Sequence, residues 1–530
     1  MKKKLSLLLA LPLLLTSCSG SASFGYELDF EKGYNKNLWY KNDLESLCAD
    51  PSIVYDESDG YYYMYMTTDE MGCRGYHVYR SKQLNHWENL GPCFVPDPNA
   101  WAILGLWAPN VIKIGDKYYM YYTGQNWSTK NGRKGISVAV SEKPYGPFHE
   151  YEGTNYYGDL LTRNDEIFEF GFPVIDADPF LDDDGTLYLY FTKDQVNRTS
   201  TVYGVKMLDP VTPLMSSLTL LSEPGKVTTD ASSYDVKWER KTSGGSWNEA
   251  PFMLKIKDKY YLTYSANIFT DVAYGVGYAI GDSPLGKFTK PYTYECENLL
   301  LGVDTKEQTT DWDFMSGTGH HCFFYAGDEL MIGYHAHLDR VYGASTRAFA
   351  LDRVIVDEDG SIFVNGPTYS LQHLPYSVSG YDDVAKYATL TTDSVNEGSL
   401  LIDGKIPMHK FRQEHVDLQA KYSAGKHKIT IEFPQPVKAA AVAIYNSLDY
   451  DTGLKKIDSV NIQGVGEAKN VKMNPNYIDY YKEEYDDEYL RPGCPFIVEF
   501  EEKETKRITI TVSSKTDFAL SEVVVLGKGA

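Results

Sequence analysis

Five side chains in this 530-residue chain fall at matching distances before five similar strand ends. Asp50 precedes Thr67 by 17 residues, Trp107 precedes Thr123 by 16, Asp176 precedes Thr192 by 16, Glu249 precedes Ser265 by 16, and His320 precedes His335 by 15. Three carboxyls, an aromatic plate and an imidazole gathered at one register would have definite chemistry. Cleaving the bond between two sugars commonly takes one carboxylic acid to protonate the departing oxygen and one carboxylate to activate water or attack carbon. A third negative charge nearby keeps the acid protonated near neutral pH, and an aromatic ring can cover the apolar face of a sugar. Taken singly the residues say little, since Asp-Pro is a common turn pair and a lone Glu is more often a surface charge. The shared spacing separates them from that background.

The elements that must position these groups are strands. Tyr61–Thr67, Tyr118–Thr123, Leu187–Thr192, Tyr260–Ser265 and Leu330–His335 are aromatic and aliphatic runs. Each follows a tight-turn signal: Asp59-Gly60, Gly115-Asp116, Asp184-Gly185, Asp258-Lys259 or Gly327-Asp328. Their ends lie 56, 69, 73 and 70 residues apart, the length of one four-stranded sheet with its loops, so five repeats predict a five-bladed β-propeller. No long 3.6-period segment interrupts them, which argues against a parallel α/β fold. The first strand of each blade lines the axis of a propeller, so residues distant in sequence converge there. Asp178 competes with Asp176 but falls outside the register. Asp182, Asp183 and Asp184 read as a solvated turn. His320, His321, His335 and His337 lack the carboxylate or Cys partners of a recognisable zinc motif. Near residues 371–385 the repeat stops, and residues 386–530 hold about eight short strands that suggest a β-sandwich.

Composition bounds the partners. A formal net charge of −22 argues against nucleic acid or an anionic lipid surface, both of which call for a basic field. The 44 tyrosines fit half-buried strands before they point to any function. At the N-terminus, Lys2-Lys3-Lys4 and the apolar run Leu5–Leu15 form an export signal too short to span a membrane. Leu15-Thr16-Ser17-Cys18 resembles a bacterial lipobox, which implies cleavage before Cys18, lipid on Cys18 and a periplasmic or cell-surface membrane anchor. No CxxC pair occurs. Export permits a bridge among Cys48, Cys73 and Cys93 as readily as free buried thiols.

At this point a family resemblance is clear. Ala49-Asp50-Pro51-Ser52-Ile53, Trp107-Ala108-Pro109, Ile175-Asp176 followed by Asp182-Asp183-Asp184-Gly185, Glu249-Ala250-Pro251 and Gly317-Thr318-Gly319-His320 resemble glycoside hydrolase family 43 over about residues 40–370. The resemblance implies inversion at the anomeric carbon, with Asp50 as general base, Asp176 as modulator and orienter, Glu249 as general acid and Trp107 stacking on substrate. His320 matches a family histidine near the axis, often beside calcium or a water cluster, so it is also the candidate metal contact. No cofactor is required for the chemistry. Arg347 and Arg353, from the fifth blade, are further candidates to reach the substrate. Leu401-Ile402-Asp403-Gly404 and Ala519-Leu520-Ser521-Glu522-Val523 resemble the discoidin, or coagulation-factor type C, family, a galactose-binding-like jelly roll. Tyr445 and Tyr450 are its candidate sugar-binding tip aromatics.

The expected organisation is therefore all-β: a signal over 1–17, a tether over 18–25, a five-bladed propeller over 26–375 and a sandwich over 386–530. The expected activity is release of terminal sugars, foremost α-L-arabinofuranose, from a plant-type polysaccharide or oligosaccharide. β-Xylosidase, β-galactofuranosidase and endo-arabinanase are rivals within the same family. A retaining fructan hydrolase would carry Trp-x-Asn-Asp-Pro where this chain has Leu47-Cys48-Ala49-Asp50-Pro51. A non-catalytic glycan-binding lipoprotein should lack one of the three acids, and none is missing. The segments 95–105 and 153–170 are candidates to wall off one end of a groove.

Overall fold

The computed structural model describes residues 34–42, 48–67, 75–125, 132–239, 245–291, 298–302, 316–337, 347–368, 370–406, 418–447, 450–472 and 493–529. The export signal, Cys18, Cys73 and Cys296 lie outside them. Five blades follow one another, each an antiparallel meander. Blade 1 is Ala49–Asp56, Tyr61–Thr67, Tyr76–Ser81 and Glu88–Phe94. Blade 2 is Leu104–Ile114, Lys117–Gln125, Lys134–Ser141 and His149–Glu150. Blade 3 is Val174–Leu181, Leu187–Val196, Thr199–Asp209 and Thr219–Ser222. Blade 4 is Ser246–Ile256, Lys259–Ala266, Gly275–Gly281 and Leu299–Leu301. Blade 5 is Gly319–Ala326, Glu329–His337, Arg347–Val356 and Ile362–Val364. Blades 3 and 4 are also stitched by a short parallel pairing, Thr199 with Ser246 and Ser200 with Trp247.

A blade is covered on both faces by its neighbours, so its second strand is apolar throughout and does not alternate. Tyr63, Tyr65, Met120 and Tyr122 meet in one buried cluster between blades 1 and 2. Tyrosine suits this place because its ring fills the seam while its hydroxyl needs a partner, and that partner is supplied by a repeating device. The hydroxyls of Tyr65, Tyr121, Tyr190 and Tyr261 each donate to a carbonyl in the turn after the third strand of the next blade, at Pro144, Pro210, Pro284 and Gly360. The tyrosine surplus is thus in part an inter-blade fastening.

Among the described residues, no N-terminal strand joins the sheet of blade 5. The buried Asn42 takes that place: its amide nitrogen donates to Leu351 O and Thr368 O, and its oxygen accepts from the Leu351 N–H. The Cys48 N–H donates to Arg347 O at 2.9 Å. Cys93 and Cys322 are buried free thiols, each pushed up to about 12 by burial.

The second body is an eight-stranded antiparallel sheet folded over itself. Gly425–Asn446 and Pro495–Ser514 are long enough, at 22 and 20 residues, to run through both layers. They turn the corner at register breaks between Glu432 and Val437 and between Ala439 and Ala441. Its apolar face seats on the propeller through Leu38, Trp39 and Leu371, which pack with Ala441, Ala443, Tyr445, Ile497, Val524 and Leu526. Tyr445 is therefore not a tip aromatic: it is fully buried in this seam, and its hydroxyl donates to Leu371 O. The side chain of Tyr450 lies outside the described residues. Asp182 is also corrected. It is buried, held by Lys255 Nζ at 2.7 Å and the Tyr260 hydroxyl at 2.6 Å, while its neighbours Asp183 and Asp184 are exposed. Among the described residues, no helix is long and apolar enough to cross a membrane.

Candidate active site

The site is built on five equivalent β-bulges. In each blade one residue of the first strand pairs with the end of the second: Ala49 with Thr67, Trp107 with Thr123, Ile175 with Thr192, Glu249 with Ser265 and Gly319 with His335. The register then slips by one residue. The residue that follows is driven to positive φ, at 55° in Asp50, 46° in Ala108, 56° in Asp176, 50° in Ala250 and 41° in His320. For a side-chain-bearing residue this conformation costs about 1–3 kcal/mol, so it persists only where the surroundings enforce it.

Enforcement comes from a closed ring of hydrogen bonds. The N–H of each positive-φ residue donates to the strand end of the preceding blade. Ala108 donates to Thr67 Oγ1 at 2.7 Å, Asp176 to Thr123 Oγ1 at 3.1 Å, Ala250 to Thr192 Oγ1 at 3.2 Å and His320 to Ser265 Oγ at 2.8 Å. Asp50 closes the circle by donating to His335 Nδ1 at 3.3 Å. The strand ends that anchor the sequence repeat are thus its fasteners. The ring also corrects the single register: Asp50, Asp176 and His320 occupy the bulge, whereas Trp107 and Glu249 sit one residue earlier and an Ala occupies the bulge in their blades. Counting from the strand ends cannot separate these cases, because the turns between first and second strands run from two to five residues and absorb the offset.

Around the axis the acids meet unlike surroundings. Asp50 is buried, which by itself would raise its carboxyl. His320 and the Arg347 guanidinium, with His335, overcome this and hold it well below the usual carboxylate range. Its Oδ1 lies 3.0 Å from Arg347 NH1 and 3.1 Å from His320 Nδ1, and its Oδ2 accepts the Thr67 hydroxyl at 2.7 Å. Glu249 is half-buried in the wall. Burial pushes its carboxyl up to about 7, a bond from Tyr274 pulls down, Asp194 and Asp50 push up, and Lys134 pulls down. Asp176 is raised by burial first, then by Glu249 and Asp50. Its Oδ2 accepts the Ala250 N–H at 3.1 Å and so grips the residue after Glu249. Asp178 lies one layer deeper, taking the Asn110 amide at 3.0 Å and the Met253 N–H at 2.8 Å. Burial raises it to about 8.

The other expected residues are placed as follows. Trp107 is half-buried, with Lys134 Nζ 4.4 Å from its ring centroid, so one face already carries an ammonium. Arg347 reaches Asp50 and stacks over Phe269 at 4.8 Å. Arg353 is drawn away from the axis, bonding Glu329 at 2.7 Å. The segments 95–105 and 153–170 do meet beside blade 2, where the Trp101 N–H donates to Arg163 O and Arg133 forks onto Glu166. Sequence reasoning missed Tyr274, Asp194 and Lys134. Lys134 bonds Asp194 at 3.0 Å, and no motif marks either residue. Tyr274 opens a third-strand run already visible in the repeat, so it could have been compared between blades.

His320 was also the candidate calcium contact, and the donor set does not fit that ion. Calcium takes six to eight oxygens, whereas His320 Nδ1 faces Asp50 Oδ1. Among the described residues no three His, Cys, Asp or Glu side chains gather with ligand geometry. Burial lowers His320 while Asp50 pulls it back up, and burial lowers His321 and His335 to about 3, so the latter two stay neutral near neutral pH.

Comparison with known proteins converges on one family. Residues 44–362, through all five blades, match Glycosyl hydrolases family 43. A β-D-galactofuranosidase of Aspergillus niger is 27% identical over 248 residues, 46% of this chain and 58% of that protein. The chain thus spans little more than half the length of that relative. Xylosidase/arabinosidase 43A of Humicola insolens is 26% identical over 323 residues, 56% of this chain and 88% of that protein. The crystal structure of a thermostable family-43 glycoside hydrolase is 30% identical, with a TM-score of 0.53, covering 63% of this chain and 99% of its own. The match running through every blade, and the carboxyls its bulges bring together, lead to the conclusion that the chain belongs to glycosyl hydrolases family 43.

Proposed function

We propose that this protein is an inverting glycoside hydrolase that releases terminal α-L-arabinofuranose from plant-type polysaccharide or its oligomers. The observation that carries this reading is the split between two carboxyls on one axis: Asp50 is held ionised by Arg347 and His320, while Glu249 is held protonated to about pH 7. Two groups driven apart in this way are an acid and a base ready together. Glu249 gives its proton to the departing glycosidic oxygen, and Asp50 takes one from the water that attacks the anomeric carbon. Asp176 orients Glu249 through the Ala250 N–H, and Asp194 and Asp50, by repulsion, help Glu249 keep its proton. Trp107 stacks on the sugar, and no step needs a cofactor. The choice of sugar draws support from relatives named as acting on arabinose-, xylose- and galactofuranose-containing substrates.

The lipobox supports export and lipid anchoring at Cys18, with the sandwich, discoidin-like in sequence, bracing the propeller through the Tyr445 seam. A panel of aryl glycosides, arabinan and xylo-oligosaccharides, with Glu249→Gln as control, tests the activity. Release of arabinose with initial anomeric inversion by proton NMR, lost on natural substrates in Glu249→Gln, is the expected result. Glycan binding without turnover would overturn it.

A further inference from the structure

Tyr274 has no part in the mechanism above, yet it touches both halves of it. It is fully buried, immediately before the third strand of blade 4. Its hydroxyl donates to Glu249 Oε1 at 2.9 Å. Its ring lies flat on the His335 imidazole, with centroids 5.6 Å apart and planes 5° apart. His335 in turn accepts the Asp50 N–H and lies 3.4 Å from Asp50 Oδ1. The ring has no freedom to leave. A Cβ on Gly319 would come within 2.2 Å of it, so glycine at 319 is the space the ring fills. The approach is fixed by the Tyr274 N–H donating to Asp271 O at 3.0 Å and by the Asn267 amide donating to Ala273 O at 2.8 Å.

Taking Glu249 as the acid, as proposed above, we propose that Tyr274 is a positioning residue that presents the acid's proton to the substrate and ties the acid to the base through His335. Because Oε1 accepts the Tyr274 hydroxyl, the transferable proton sits on Oε2. A phenol is a donor that prefers a carboxylate to a neutral acid as partner, so it also stabilises Glu249 after the proton has gone. The other groups facing Glu249 are Asp176, Asp194, Asp50 and Lys134. None of these is altered by Tyr274→Phe, which keeps the stack on His335 and removes one oxygen.

The test compares wild type, Tyr274→Phe and Glu249→Gln on two substrates of the sugar that wild type releases. One is an oligosaccharide, whose leaving group needs a proton, and the other is a 2,4-dinitrophenyl glycoside, whose leaving group does not. For Tyr274→Phe the expected result is a kcat on the oligosaccharide about tenfold to a hundredfold lower, the worth of a hydrogen bond to a charged group. KM and the dinitrophenyl rate should be unchanged. The alkaline limb of the oligosaccharide pH profile should move up, because the carboxylate has lost a donor. Equal loss on both substrates, or an unmoved limb, would overturn the proposal. If Glu249→Gln is inactive on the oligosaccharide while Tyr274→Phe matches wild type, only the Tyr274 role falls. If Glu249→Gln cleaves it as wild type does, the acid assignment falls and takes the Tyr274 role with it.

Discussion

The propeller axis and the sandwich seam both bury carboxyls, and they use them differently. In the seam, Asp383 is raised to about 6 by burial, and its Oδ1 accepts the Ala385 and Val525 N–H groups. Glu522 is raised well above the usual range by burial and by Asp383 and Asp403, and it accepts the Gly404 and Val523 N–H groups. No cation lowers either acid enough to split them, so they move up together. On the axis, Arg347 and His320 pull Asp50 down while burial pushes Glu249 up. A raised carboxyl alone therefore marks burial, and two carboxyls on one axis separated in opposite directions mark chemistry.

The comparison breaks most sharply if the acids are exchanged for their amides. Glu249→Gln and Asp50→Asn should each cut turnover of a natural oligosaccharide by about 10²–10⁴, whereas Glu522→Gln should leave kcat unchanged. Steady-state kinetics on the three purified variants decides this, and a comparable loss in Glu522→Gln would erase the distinction.

The pH dependence should separate the regions next. With Glu249 as the acid and Asp50 as the base, as proposed, kcat/KM should fall as pH rises through about 7 and should hold on the acid side well below the ordinary carboxylate range. Stability should respond to the seam. A carboxyl whose folded pKa is raised keeps a proton that the unfolded chain loses, so its contribution declines as pH rises from the unfolded value towards the folded one. Glu522→Gln removes that decline, and the drop in urea midpoint between pH 5 and pH 8 should be smaller than in wild type.

Thr67→Val sharpens the axis at a smaller scale. One hydroxyl donates to Asp50 and accepts from the Ala108 N–H, so its loss strands a buried donor at about 1–3 kcal/mol and also lowers kcat. A change in stability alone would show the ring to be structural. The smallest expected effect is in the seam. Tyr445→Phe loses a single bond to Leu371 O, about 0.5–1.5 kcal/mol in chemical denaturation, with unchanged kinetics.

Much of this architecture was legible. The runs ending at Thr67, Thr123, Thr192, Ser265 and His335 mark five equivalent second strands because a strand packed on both faces must be apolar throughout, and the interval between them is the length of a blade. The acids could be found by counting back from those ends, but the position of each within its bulge could not. A slip of one residue leaves no trace in composition, and Trp107 and Glu249 were accordingly aligned with residues they do not match. Tyr445 misled for a related reason, since an aromatic in a strand reads alike whether it faces solvent or a second domain.

The chain's own pattern determined the blade count and the all-β class and marked the candidate acids, since each depends on local periodicity and on residue type. The ionisation of those acids was decided only by the fold. Arg347 lies 297 residues from Asp50 and Tyr274 lies 25 from Glu249, and charge and hydrogen bonding act through space over a few ångströms, a distance that sequence separation does not measure.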